Sequence, residues 1–310
     1  MTSIMEVIPY DLNWPKQFEA EASLLRQALG DNCIEIHHIG STAVPGLAAK
    51  PTIDIIPVVK DLSKISDNKL VVLGYTPMGE MGMPFRRFYN KGNPRTHHLH
   101  IWEEGNPEIE KHLLFRDYLI AHHDIAKQYE NIKLQLATKF RNDRQNYTES
   151  KDELIKDILQ KSGFTGLTVV RVLQDRELAA YHRIRRTQIF DKLPNVIYDP
   201  NHPTLYAENH YHYILMQGVI PVSIAQIEML DSNTVALRSL ATDEPYKNMG
   251  HASYLLSLME RWSKLQGATK ILMHAALRAE SFYRERGYVN MEFDDVGINP
   301  DNVDLGKRLW

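Results

Sequence analysis

Two glycines around Phe164, in "KSGFTG" (161–166), stop a helical pattern that has run since residue 106, and the strand-like "LTVVRVL" starts directly after them. A chain that lays down strands, covers them with long helices and then begins again divides its apolar surface between two cores. The 310 residues are enough for two ordinary domains, expected at 1–162 and 166–310. Both halves mix strand and helix patterns, so the expected class is α+β/α/β. There is no internal repeat and no low-complexity tract.

In the first half, "NWPKQFEAEASLLRQALG" has helical spacing, with Pro15 where a first turn tolerates it. "CIEIHHIGS" alternates as a strand, which puts Ile34, Ile36 and His38 on one face. "TIDIIPVV" is a second strand, rich in β-branched residues, and "THHLHIW" a third, after the loop "LGYTPMGEMGMP". In the second half "QDRELAAYHRIRRTQIF" is helical. "YHYILMQGVIPVSIAQIEML" reads as two strands around Gln217-Gly218, and "TVALRSLAT" and "TKILMHAAL" are strands. "RAESFYRERGYV" is a short helix ending at Gly287, and "VNMEFDD" begins a last strand.

Apolar residues at 43% suffice for packed cores, and a formal charge of −3 leaves no general nucleic-acid footprint. The lone Cys33 excludes an intramolecular disulfide and a multi-cysteine zinc site; a buried, inert thiol is expected. The start, "MTSIMEVIPYDLNWP", has no basic region followed by an apolar run, and no apolar run reaches membrane-spanning length. The expectation is a cytoplasmic protein with no membrane partner.

The segment "DEPYKNMGHASYLLSLMERWSKLQGA" is a loop with Gly250 that runs into an amphipathic helix carrying Leu255, Leu256, Met259 and Trp262. Unpaired N–H groups at a helix start attract an anion, and glycine permits close approach, although an ordinary turn explains the same residues equally well. With "KNMGHA" in the pattern Arg/Gln-x-x-Gly-x-Gly/Ala, and Ala279, Phe282, Tyr283, Gly287 and Tyr288 in the pattern A-x-x-F-Y-x-x-x-G-F/Y, the second half resembles the GNAT acetyltransferase superfamily over about residues 166–310. Lys247 stands where Arg or Gln is usual, and Ala276 where an Asn is common.

The resemblance implies a GNAT fold, with acetyl-CoA in an opening between "TVALRSLAT" and "TKILMHAAL". It assigns cofactor contacts to Leu240, Thr242, Lys247, Asn248, Met249, Gly250, His251, Ala252 and Phe282. Tyr283 would protonate the departing thiolate. Glu228 on "SIAQIEML" is the first candidate for the base, with a solvated surface carboxylate as the competing reading; His210, His212 and His274 are alternatives. The acceptor is a small-molecule or peptide amine. The acidic and aromatic "VIYDPNHPTLYAENHYHY" and "DEPYKN" hint at a cationic one, such as an aminoglycoside or polyamine, or are loops with no acceptor role.

"HIGSTAVPGLAAKPTIDI", with "VIPYDLNWPKQFEAE", "RTHHLHIW" and "LLFRDYLIAHHDIAKQYENIK", resembles the GrpB-like family of the nucleotidyltransferase superfamily over roughly residues 5–160. The resemblance implies a nucleotidyltransferase-like mixed sheet and a ligand site at Gly40, Ser41, Lys50, Asp54, Arg87, His98 and His100. A two-metal site needs paired carboxylates holding cations about 4 Å apart. Asp54 is one; Ile56, on the same strand face, cannot be the other. His38, Asp54, His98 and His100 are candidates for a divalent metal if their strands are neighbours; otherwise the histidines bond one another and the backbone in a polar cleft. Lys50, Arg86, Arg87 and Arg95 would suit a nucleotide or other phosphorylated ligand, or form a solvated face. Arg116 and Asp117 are expected to make a helix-to-sheet polar contact.

The leading expectation is an acetyl-CoA-dependent N-acetyltransferase fused to a phosphate-ligand domain. The alternatives are a bifunctional enzyme with nucleotidyl or phosphoryl transfer in the first half, and a non-catalytic sensor of acetyl-CoA or nucleotide.

Overall fold

The computed structural model describes residues 6–143, 146–147, 150–193, 196–295 and 302–309. By its contacts the chain forms two compact units, Met1–Thr168 and Val169–Trp310. Among the described residues no helix is long and apolar enough to cross a membrane.

The first unit has strands β1 (Cys33–Ile39), β2 (Ile53–Val59), β3 (Tyr75–Pro77), β4 (Arg87–Lys91) and β5 (His97–Glu103), paired in the order β1-β2-β5-β4-β3. Only β2 and β5 run parallel, so the sheet is mixed. Helices α1 (Trp14–Leu29), α2 (Asp67–Val72), α3 (Pro107–Ala121), α4 (His123–Lys139) and α5 (Asp152–Lys161) accompany it. The long helical pattern is thus interrupted at His122, whose φ of −125° and ψ of 82° leave the helical region.

Strand alternation decides which helix each face meets. Ile53, Ile55, Leu99 and Ile101 pack with Trp14, Phe18, Ala22 and Leu25 of α1. Ile39, Ile56, Val58 and Trp102 turn the other way, against Ile109 and Leu113 of α3. β2 is therefore apolar on both sides, and each of its fully buried side chains contributes about 1.5–3 kcal/mol. Asp54 is the polar interruption on the α3 side.

The second unit is built on strands β6 (Leu167–Arg171), β7 (His210–Gln217), β8 (Ile220–Met229), β9 (Thr234–Thr242), β10 (Lys270–Ala276), β11 (Val289–Asn290) and β12 (Asn302–Arg308), ordered β11-β12-β10-β9-β8-β7-β6. Tyr181 and Ile184 of α6 (Asp175–Gln188) pack over Ile214, Ile224 and Ala241. On α7 (His251–Leu265), Leu255, Leu256, Met259 and Trp262 are all buried, and Trp262 meets the rings of Tyr211 and Tyr213. The short α8 (Glu280–Arg284) follows β10. The expected last strand at "VNMEFDD" is only the two-residue β11; the strand that completes the sheet is β12, which inserts between β11 and β10.

Candidate functional site

β9 and β10 run parallel and pair only from Thr234–Ala236 against Lys270–Leu272, then separate. On the other side of β9 the register shifts, because Gln226 faces Ser239 while Ile227 faces Leu237, leaving Arg238 as an extra residue. Such a bulge bends a strand and re-aims its side chains. The separation opens a cleft of about 910 Å³. Leu240 and Thr242 form part of one wall, and Phe282 and Tyr283 part of the other.

Lys247, Asn248, Gly250, His251 and Ala252 line the cleft where the chain enters α7. Asn248 (φ 62°) and Gly250 (φ 84°) both adopt the left-handed region, which turns the backbone toward the helix start. A Cβ on Gly250 would meet nothing within 4 Å, so the space above it is open to a ligand. Met249 is 63% exposed and does not line the cleft. Lys192, Lys247, Arg278 and Arg286 do, giving the cleft a cationic margin suited to phosphates. Ala276 lines it without offering a polar group.

The Tyr283 ring packs against those of Phe282 and Tyr288, and burial raises its phenol well above the usual range. Glu228 is not a cleft residue. Its Oε2 accepts from Arg238 Nε at 2.5 Å, its Oε1 accepts from Asn209 at 3.1 Å, and His210 lies 3.5 Å away. The base expected there is thus tied up behind the bulge. His212 is also engaged, by the Tyr181 hydroxyl and the Leu205 carbonyl. His274 is a cleft residue. Its Nδ1 lies 2.7 Å from Asp304 Oδ1 on β12, its ring stacks on Phe293, and its Nε2 is buried without a partner. An ionised carboxylate only accepts, so His274 donates from Nδ1.

In the first unit a cleft of about 410 Å³ is lined by Gly40, Ser41, Lys50, Asp54 and His98, joined by Arg95, Lys133 and Lys151. Gly40 has φ 70°, and a Cβ there would lie 2.6 Å from Asp54 Oδ2, so turn and carboxylate fit together only with glycine. Lys50 and Lys151 stand over the Tyr147 ring at 4.2 and 4.3 Å. Lys133 is 3% exposed and donates to the Ala48 carbonyl; burial, reinforced by Lys151, pushes its amine down to about 7.

Of the expected ligand residues Arg87 and His100 do not line this cleft, and neither does the metal candidate His38. Arg87 pairs in register with Ile101, which puts it on the α1 side; it donates to Ile65 O at 3.0 Å and lies 3.6 Å from Asp67. His38 pairs with Ile55, also on the α1 side, where it stacks on Phe18 and contacts Thr42 at 3.0 Å. Arg86 donates to the Glu80 and Met81 carbonyls, a structural role. Arg116 bridges the Asp117 carboxylate and the His38 carbonyl, the helix-to-sheet contact expected.

Asp54, His98 and His100 do converge, with candidate ligand atoms within 4.8 Å of one another. Both histidines already have hydrogen-bond partners. Arg86 Nη1 lies 3.2 Å from His100 Nδ1 and can only donate, so Nδ1 accepts and the proton sits on Nε2, facing Asp54 at 3.8 Å. His98 Nδ1 donates to Asp54 at 2.9 Å. Burial would raise the Asp54 carboxyl, but His100 and His98 outweigh it and hold the group well below the ordinary carboxylate range. The trio as arranged is a hydrogen-bonded network, and a divalent ion would have to displace the protons that His98 and His100 turn toward Asp54.

Burial pushes His100 and His212 down to about 4 from an ordinary 6.5. Between those values the unfolded chain binds protons that the folded protein refuses. Stability should therefore fall as pH drops from 6.5 toward 4, by up to about 1.4 kcal/mol per pH unit for each of the two. Urea midpoints measured across this range test this; a flat profile would mean that both rings titrate freely.

Residues 4–161 match the GrpB protein family, which is half of the chain. The chain belongs to the GrpB family. Residues 173–288 match the acetyltransferase (GNAT) family. The UPF0157 protein YqkA of Bacillus subtilis is 47% identical over 155 residues, covering 49% of this chain and 45% of YqkA, so the chain spans less than half of that relative. The crystal structure of the conserved protein GrpB from Enterococcus faecalis is 42% identical, covers 51% of this chain and 96% of its own, and has a TM-score of 0.49. An acetyltransferase from Streptococcus agalactiae is 16% identical, covers 47% and 100%, and has a TM-score of 0.41.

In the GrpB half, sequence reasoning missed Lys133 and Lys151. A signal existed: Ala126, Tyr129, Glu130, Lys133 and Ala137 form the buried stripe of α4, and a lysine on such a stripe has a partner or a task. In the acetyltransferase half it missed Asp304, which no local pattern connects to His274.

Proposed function

We propose that the second unit is an acetyl-CoA-dependent N-acetyltransferase. The observation that carries this reading is the cleft itself, in which separating parallel strands, a left-handed loop at a helix start and a cationic margin meet at one opening. Bound there, acetyl-CoA supplies the activated acetyl group. The backbone N–H groups around Gly250 bind phosphate, and Lys247 adds charge. Tyr283 holds a proton on its hydroxyl for the departing sulfur. His274, oriented by Asp304, is assigned the proton of the acceptor amine in place of Glu228, because it is a residue of the cleft wall and Glu228 is not. Calorimetric titration of the full chain with acetyl-CoA tests the reading; micromolar binding at one site per chain is expected, and none would overturn it.

For the GrpB half we propose binding of a phosphorylated ligand without nucleotidyl transfer. Lys50, Arg95, Lys133 and Lys151 line one cleft beside the Gly40–Ser41 turn. Ile56 is fully buried in the apolar cluster with Val58 and Trp102, which leaves Asp54 without the second carboxylate that two cations need. Lys133 adds a pH dependence. An anion favours its charged form, so inorganic pyrophosphate should bind more tightly below about pH 7 and release as Lys133 loses its proton above it. Lys133→Met should weaken binding about tenfold and flatten that profile; unchanged titrations would remove Lys133 from the site.

A further inference from the structure

Arg185 of α6 is 8% exposed, and its Nε and Nη1 are buried without a hydrogen-bond partner. Three carboxylates of this unit are paired with other arginines: Asp243 with Arg183, Asp191 with Arg186, and Glu228 with Arg238. What Arg185 has instead is the Tyr181 hydroxyl, on which its charge acts, and two ring faces, Phe190 at 5.3 Å and Tyr181 at 5.9 Å from the guanidinium carbon. His182, His210 and His212 stand around it, each lowered first by burial and further by the Arg185 charge, and an imidazole has no anionic form with which to balance a guanidinium. A guanidinium cannot shed its proton to escape burial. An ionised group left in this state costs stability, and a planar anion with two acceptor oxygens would match its open fork.

The position connects this fork to the cleft. Arg185 does not itself line the cleft, but Gln188, three residues further along α6, and Ile189, just past its end, do. From the opposite wall Ser239 reaches Gln226 at 3.5 Å, and Gln226 donates to His210 Nδ1 at 2.8 Å. The cationic acceptor hinted at by "DEPYKN" finds less support, because Asp243 is paired with Arg183, and Glu244 with Lys247 and Lys192.

We propose that the acceptor is a small amine that also carries a carboxylate, with Arg185 clamping that carboxylate while the amine faces the cleft. The proposal rests on the acetyltransferase reading and names the substrate class of the same site. No bond is made or broken at Arg185; it is a binding residue.

The test uses the full chain with matched probes, the free protein amino acids and their carboxamides, which keep the amine and lose the anion. With acetyl-CoA, kcat/KM should be about a hundredfold or more higher for the preferred free acid than for its amide. Arg185→Met should level that preference, leave acetyl-CoA affinity unchanged in calorimetry, and raise the thermal midpoint of the ligand-free protein, because an unpaired buried charge is gone. An arginine serving only structure would lower the midpoint on removal. Equal turnover of acids and amides, a preference that survives Arg185→Met, or a lowered midpoint would each overturn the proposal. If acetyl-CoA does not bind, the acetyltransferase reading fails by that measurement alone. Thermal shifts with acids and amides in the absence of acetyl-CoA still decide whether Arg185 recognises a carboxylate: an upward shift by at least one acid and not by its amide supports it, and no shift by any acid overturns it.

Discussion

Gly250→Glu is expected to abolish acetyl-CoA binding, with affinity reduced beyond about a thousandfold. Two effects act together. Gly250 sits at φ 84°, where a side chain is strained, and its missing Cβ leaves nothing within 4 Å. A glutamate would fill that space with a negative charge at the helix start, where the proposed reading puts the phosphates of the cofactor. Gly250→Asn separates the two causes, since asparagine tolerates the left-handed region and carries no charge. It should fold normally and weaken binding by a smaller factor. Calorimetry on both variants, with circular dichroism to confirm folding, is the check. Unchanged affinity in Gly250→Glu would place the cofactor elsewhere.

Tyr283→Phe should lower kcat by about a hundredfold or more, the range of a lost general acid, while acetyl-CoA affinity stays within about twofold. The separation of effects follows from the packing. The ring is held by Phe282 and Tyr288, contacts that phenylalanine keeps, so the wall of the cleft survives. What disappears is a hydroxyl that burial keeps protonated well above neutral pH. Steady-state kinetics of both proteins test this, and undiminished turnover would remove Tyr283 as the acid. His274→Ala is the companion variant: loss of turnover with acetyl-CoA affinity retained is expected, and undiminished turnover would remove His274 as the base.

The sequence made the local units legible and the pairings between them much less so. "TVALRSLAT", "TKILMHAAL" and the strands on either side of Gln217-Gly218 are strands because their branched and apolar residues have the right period and length. The loop around Gly250 could be read because its residues are consecutive. His38 and Arg87 were misplaced for the same physical reason. Alternation groups residues within a strand, but the face a residue shares with a neighbouring strand depends on register, and Ile55 and Ile101 are their partners. Arg185 reads as one of several arginines in "HRIRRTQ"; only burial separates it from Arg183 and Arg186, whose partners are carboxylates.

The place of β12 has a consequence for biosynthesis. Every strand of the first sheet lies between residues 33 and 103, so that sheet is complete in sequence long before the second is. The second sheet receives its inner strand, residues 302–308, after all its other strands have left the ribosome. Until then β10 lacks its antiparallel neighbour and His274 lacks Asp304. A nascent chain can thus present a finished first unit while the second is still without its oriented imidazole.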